Sequence, residues 1–360
     1  MDKYLLREYL IPLFFCVTTF CMIHVIWDLF AHISKFMSVH TPWRLICRYY
    51  LFVLIPTLEY VLPASLLLAT LYTLWRLSRN NELTAMRASG VSMYRIMLPF
   101  LVVGAIFSIN ALIIKETIGP HAALWANRFS NNKFREFEEN IHLDMAHYNV
   151  ADRRQWLIKK FDLNNPDYLR SVNIKEERED HSKSREITAQ EAEWLDGQWW
   201  FYDGQIQQYS DTGGPVGPPI IINKRGVEMS ELTEAPSVFA NEIKEWQFFS
   251  SLEMINFLKN RPRPSKAENA KRIFYLHQRI ALPWACFIVT LFGIPAGAKS
   301  SRQSALTGVF IAVAFFFAFY MLNQVGMFLG IKRIIAPWLG AWLSNIIFLI
   351  VGIIMTVRMK

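Results

Sequence analysis

The sequence predicts an α-helical membrane protein with six transmembrane helices and an inserted all-β domain, and three observations carry that reading. Hydrophobic residues make up 52% of the 360 positions and gather in six runs, each near or above the ~20 residues that span a bilayer core. Between the third and fourth runs lies a stretch without a spanning segment, at about 150 residues long enough for one domain with its own core. Charge divides at the same boundaries: Ile118 to Glu268 has 19 basic and 24 acidic side chains, the rest of the chain 19 and 6.

In chain order the runs are Tyr9 to Phe30, Tyr49 to Leu77, Ile96 to Ile114, Ile280 to Ala298, Ala305 to Leu329 and Ile334 to Val357. The first exceeds a signal-peptide core and no small-residue cleavage site follows it, so it is expected to stay as a mature helix. The organisation is then helices one to three in 1–117, with a short cytoplasmic helix near 80–90, an external domain in 118–268, and helices four to six in 269–360. Cys16, Cys21, Cys47 and Cys286 all fall in or beside apolar runs, which gives neither a disulfide framework nor a zinc pattern.

Six crossings place both termini on one face and the insert on the other. Ten cations, among them Lys3, Arg7, Arg76, Arg87, Arg95 and Lys360, would then lie inside, against nine near the outer boundary. Taken with the freedom of long domains to translocate whatever their charge, this favours cytoplasmic termini. The outer cations, including Lys35, Lys115, Arg279 and Arg333, read either as snorkelling anchors or as a basic collar for an anionic lipid headgroup.

Within the insert, "EWLDGQWWFYDGQIQQY" alternates aromatic and polar residues, and its Asp196-Gly197 and Asp203-Gly204 pairs are hairpin-turn signals. Further strands are expected over Gln155 to Leu163, Tyr168 to Glu176, Glu186 to Glu193 and Pro219 to Asn223. An open sandwich or jelly-roll-like sheet fits these. Its edges either pair with strands of another protein or serve only the insert. Capping boxes at Ser250 to Glu253 and Ser265 to Glu268 start two helices. The second has no breaker before Pro283, which suggests a continuous helix from the external domain into the fourth membrane helix.

Enzyme chemistry has no visible home: there is no GxxxxGK[ST], HExxH or GxSxG motif and no His/Cys cluster, so neither catalytic residues, a metal nor a cofactor is expected. Ionisable residues inside the runs are functional candidates by default. His24 and Asp28, four apart on one face, could pair with each other or relay protons. Glu59, between Pro56 and Pro63, is expected at an interface or lining a cavity.

The polar stretch "SRNNELTAMRASGVSMYR" reads as a short amphipathic helix. Asn80 or Asn81 can cap it, Glu82 suits its first turn and Gly90 can end it. Leu83 and Met86 form an apolar stripe. Such a helix either rests on the bilayer or plugs into a groove of a cytoplasmic partner.

"NNELTAMRASG" resembles the cytoplasmic loop of the LptF/LptG lipopolysaccharide-export permeases. "KYLLREYL", "RIALPWACFIVTLFGIPAG" and "APWLGAWLSNIIFLIVGIIM" extend the resemblance over nearly the whole chain. It implies six helices with a periplasmic jelly roll between the third and fourth. It also implies a half-transporter of the inner membrane that pairs with a second permease of this type and with a separate cytoplasmic ATPase dimer, which binds the ATP. Lipopolysaccharide would be extracted from the outer leaflet and passed to a periplasmic bridge protein. By the same resemblance Glu82 docks on the ATPase with Arg87, Leu83 and Met86 as neighbours, and Lys115 and Arg128 face the lipid cavity. His24 and Asp28 stand where some members have a membrane lysine, for which Lys35 is a loose substitute. Two other classes compete: a mechanotransmitting scaffold coupled to an ATPase, and a secondary transporter driven by protons through Asp28.

Overall fold

The computed structural model describes residues 1–132, 134, 141–149, 151–180, 182–244, 248–259, 266–298 and 305–358. The chain divides into two compact units, Met1–Phe134 with Ser265–Lys360, and Arg135–Pro264. In order, the elements begin with helices α1 (Asp2–Val39), α2 (Trp43–Arg79), α3 (Glu82–Ala88), α4 (Met93–Thr117) and α5 (Gly119–Asn131). Strands β1 (Ile141–Asn149), β2 (Arg154–Asp162), β3 (Tyr168–Glu177), β4 (Lys183–Leu195), β5 (Gln198–Tyr209), β6 (Pro215–Ile222) and β7 (Val227–Met229) follow. Helices α6 (Pro236–Ile243), α7 (Ser251–Lys259), α8 (Lys266–Ala281), α9 (Ala285–Ala298), α10 (Ala305–Ile331) and α11 (Pro337–Val357) complete the chain.

Among the described residues, six spans are long and apolar enough to cross a membrane: α1, α2, α4, α8 continued through α9, α10 and α11. The helices outrun the apolar segments that seed them. At 38 residues α1 is about 57 Å long, so polar turns project from a ~30 Å hydrocarbon layer. His40, with φ 56°, ends it in the left-handed conformation.

The core of this unit lies where α2, α4 and α9 meet, with Leu66, Leu67, Leu74, Phe100 and Ile294 nearly or fully inaccessible. Apolar solvent gives no drive for helices to associate, so close backbone approach and satisfied polar groups do the holding. On α10 and α11, a Cβ at Gly326 would lie 2.2 Å from the Gly340 carbonyl oxygen, a contact only glycine permits. The fourth span is broken by a 3-10 turn, Leu282–Trp284, where Pro283 interrupts the helical ladder. Its neighbours supply partners there. Asn345 of α11 donates to the Ala281 carbonyl at 2.6 Å, and Ser108 of α4 accepts from the Phe287 N–H at 3.0 Å.

The second unit is a seven-stranded antiparallel sheet in the order β1-β2-β3-β4-β5-β6, with β7 sharing the edge of β5 alongside β6. This is the expected inserted all-β domain, with β1 and β7 added to the strands legible in the sequence. Trp156, Phe161, Trp199, Phe201 and Phe239 of α6 fill its core. Asp196-Gly197 makes the β4–β5 turn with φ of 50° and 85°, as its composition predicts.

Asp203-Gly204 does not turn; it lies inside β5. The buried residues of β2, β3 and β4 switch from a spacing of two to three at one row: Ile158 to Phe161, Leu169 to Val172, Ala189 to Ala192. Register aligns these slips, since Ile158 pairs with Val172, Val172 with Ala189 and Ala189 with Gly204. Asp144, Ser171 and Asp203, on alternate strands of the row, take φ of 55°, 54° and 51°. Two consecutive side chains therefore point outward on each strand, and the sheet creases around its core. A Cβ on Gly204 would lie 2.1 Å from the Thr188 carbonyl oxygen, so the crease needs glycine there.

The capping box at Ser250 and Glu253 forms reciprocally: the Ser250 N–H donates to Glu253 at 2.8 Å and the Glu253 N–H to Ser250 Oγ at 3.2 Å. The box expected at Ser265 to Glu268 has its first residue outside the described residues. So does the connection from α7 into α8.

Candidate lipid groove and coupling loop

The loop joining α2 to α4 is built as its residues suggest, with its faces reversed. Asn81 precedes α3 in the left-handed region at φ 58°, and Gly90 follows it at φ 87°, where glycine is favoured. Asn81 makes no side-chain cap; Asn80 instead donates to Glu82 Oε1 at 3.3 Å. Leu83 is 6% exposed within the bundle core, and Met86 packs against that core. The apolar stripe thus holds the loop onto its own chain and is not offered outward. The outward residues are Thr84, Ala85, Arg87 and Ala88. Glu82 accepts a 2.6 Å hydrogen bond from the Tyr4 hydroxyl, at the start of α1.

Along the same bundle, α1, α2 and α10 enclose an open groove of about 770 Å³, lined by Phe20, Ile23, His24 and Trp27 on one side and Val309, Val313, Phe316 and Phe317 on another. Trp27 and Phe317 are 68% and 73% exposed, a wide apolar surface. Polar groups in it are few. Thr57 donates to the Val53 carbonyl at 2.8 Å, which uses its one proton, so at 3.2 Å it accepts from His24 Nε2–H.

The expected His24–Asp28 pair therefore does not form. Asp28 has a histidine four residues away in both directions, and the structure selects His32, whose Nδ1 lies 3.2 Å from Asp28 Oδ1. Asp28 is buried, and its Oδ2 has no hydrogen-bond partner among the described residues. His32 also meets the Phe134 ring, centroid to centroid 5.0 Å.

Glu59 reaches across to α4 and pairs with Lys115, Oε1 to Nζ 2.5 Å. Next to them Arg279 of α8 donates to Glu116 at 2.7 Å and to the Lys115 carbonyl at 2.5 Å. The pairs join α2, α4 and α8 and commit Lys115 to a carboxylate. Arg128, on α5, is half-buried, and no ion pair or hydrogen bond engages its guanidinium among the described residues. Burial holds its pKa below the usual arginine value. Lys35 is exposed, with its ammonium 6.0 Å from the Phe134 ring.

Six apolar spans, an inserted antiparallel sheet, a groove walled by three helices and a short loop helix form one constellation. A family model described as "Lipopolysaccharide export system permease LptF/LptG" matches residues 3–358, essentially the whole chain. The chain belongs to the LptF/LptG family. No curated protein matches it.

As an LptF/LptG chain it is a transport permease, and the groove of α1, α2 and α10 is a wide, mostly apolar recess among its spans. Of the residues singled out in the sequence, His24 lines that groove, whereas Asp28, Glu59 and Lys115 are paired elsewhere in the bundle. No local pattern singles out Tyr4, His32 or Glu116, and Arg279 reads from the sequence only as one of the outer cations. Asp28-x-x-x-His32 has the same helical spacing as His24-x-x-x-Asp28, and the other contacts join residues 78 or more positions apart, which no local pattern reveals.

Proposed function

We propose that this chain is one half of an ATP-driven permease of the bacterial inner membrane that draws lipopolysaccharide from the outer leaflet into the groove of α1, α2 and α10. The observation that carries this is the groove itself, about 770 Å³ of almost wholly apolar lining that opens along the spans. Acyl chains gain from such a wall what apolar side chains gain from a core. A second LptF/LptG-type permease, of the same or the other kind, closes the open side, where Trp27 and Phe317 stand exposed.

In this reading the termini and the α3 loop are cytoplasmic and the sheet is periplasmic. ATP is bound by a separate cytoplasmic ATPase dimer that docks on α3 through Glu82 and the outward Thr84, Ala85, Arg87 and Ala88 face. Leu83 and Met86 support the helix from behind. Arg128 and Lys35, which have no carboxylate partner among the described residues, are the better phosphate ligands, and Lys115 acts only if Glu59 releases it. A periplasmic bridge protein receives the lipid by pairing with a sheet edge. Pro215, Pro218 and Pro219 remove donors from β6, which leaves β1 as the fuller edge.

Co-purification from the native membrane followed by mass spectrometry of bound lipid tests the reading. An ATPase subunit, a second permease and lipopolysaccharide are expected together. Recovery of the chain with phospholipid alone and no ATPase would remove its basis.

A further inference from the structure

The first two turns of α1 make four polar contacts around the α2–α4 loop, one each to α3 and α4 and two to the last turns of α2. Asp2 pairs with Arg95 at the start of α4 at 2.7 Å, and Tyr4 donates to Glu82 of α3 at 2.6 Å. Glu8 pairs with Arg76 near the end of α2 at 2.8 Å, and Thr73 donates to the Glu8 carbonyl at 3.2 Å. Between them Leu5 and Tyr9 are inserted into the bundle core. Beyond Leu13 the helix changes character: most of its residues are exposed, and Phe20, Ile23, His24 and Trp27 wall the groove.

Stability does not account for these contacts. Asp2 and Arg95 are about half exposed, and ion pairs so exposed contribute little. Their placement does, because they fix one end of a continuous helix to α2, α3 and α4 together. Tyr4 leaves Glu82 able to act outward, since an ionised carboxylate accepts about four hydrogen bonds and Tyr4 and Asn80 take two.

We infer that the N-terminal turns of α1 are a positioning brace, in which Tyr4 orients the Glu82 carboxylate and Asp2 and Glu8 bind the loop's two ends, so that movement of the loop is passed along α1 to the wall of the lipid groove. The inference rests on the transport reading above. It assigns Asp2, Tyr4 and Glu8 a role that neither apolar periodicity nor the loop's own sequence indicates. The helix continues from Asp2 to Val39 across Pro12, whose missing N–H leaves the Glu8 carbonyl free to accept from Thr73, so α1 is tied to α2 at its own weak point and runs on from Tyr4 to Trp27, a distance of about 35 Å.

The test uses the whole complex, with ATPase and partner permease, in proteoliposomes containing lipopolysaccharide, and reads lipid released per ATP hydrolysed. Asp2→Arg and Tyr4→Phe should each lower that ratio about three- to fivefold in complexes that still assemble. Combining Asp2→Arg with Arg95→Asp should restore most of the Asp2→Arg loss, because the pair is re-formed with its charges exchanged. A ratio unchanged in the single variants, or a double variant no better than Asp2→Arg alone, overturns the brace. So does a loss confined to complex yield, with the ratio of the assembled fraction unaltered. If the unsubstituted complex hydrolyses ATP and releases no lipid, the transport reading itself has failed, and the brace with it.

Discussion

Glu59 Oε1 lies 2.5 Å from Lys115 Nζ, so the cation that the family resemblance assigns to lipid already has a carboxylate. Both side chains are about one-fifth exposed, which leaves the pair partly desolvated. Glu59→Gln and Lys115→Gln should each destabilise the chain by about 1–3 kcal/mol, because each strands a charge. The double variant should lose less than the sum of the two. Thermal melts of the four proteins in one detergent check this. Stability unchanged by Glu59→Gln, with tighter lipid capture, would mean that Lys115 is a free ligand.

The Asp28–His32 contact predicts an asymmetry between two histidines. His32→Ala removes the imidazole beside a buried carboxylate and should cost about 1–3 kcal/mol. His24→Ala loses a hydrogen bond at the groove wall and should cost about 1 kcal/mol or less. Melting temperatures of the two variants decide it; an equal or reversed order would favour the His24–Asp28 pairing instead.

At the crease, Gly204→Ala should destabilise the sheet unit by about 3 kcal/mol, since its new methyl meets main-chain atoms that cannot step aside. Gly197→Ala, at φ 85° in open space, should cost only about 1 kcal/mol. Denaturant unfolding followed through tryptophan fluorescence reports both, because Trp156 and Trp199 lie in that core.

Acid should weaken the same sheet. Burial pushes the Glu186 carboxyl up, but hydrogen bonds from Lys183, Asn173 and Tyr209 outweigh it and hold the group at about 2. A folded-state value below the unfolded one gives stability that is present above the unfolded pKa of about 4.3 and is lost as pH falls through the folded value. Glu176, held low by Arg185 and Arg154 against its own burial, acts in the same direction. Glu186→Gln should flatten the fall in stability between pH 5 and pH 2, each an approximate bound. An unchanged slope would show that Glu186 is not among the responsible carboxylates.

Where the sequence was readable, a local physical rule governed the outcome. Apolar run length found all six spans, Asp196-Gly197 announced a real hairpin, and Ser250 to Glu253 formed its reciprocal cap. Asp203-Gly204 misled because the same left-handed tolerance that makes a turn also makes a bulge, and only the pairing of Gly204 with Ala189 distinguishes them. The loop misled in a different way. Leu83 and Met86 do form one apolar stripe, but amphipathicity does not say which side holds the greasy partner, and here it is the chain's own core. Tyr4 with Glu82, Arg279 with Glu116 and Glu59 with Lys115 join distant positions through the fold and leave no local signature.

The most direct test of the account places a photo-crosslinking amino acid at Phe317, in the groove, and at Ile350, an exposed position on α11 outside it. Irradiation in cells should join lipopolysaccharide to the chain at position 317 and not at 350, and the adduct should accumulate when the ATPase is inactivated. Equal capture at both positions, or capture of phospholipid alone at 317, would contradict lipopolysaccharide transport through the groove of α1, α2 and α10.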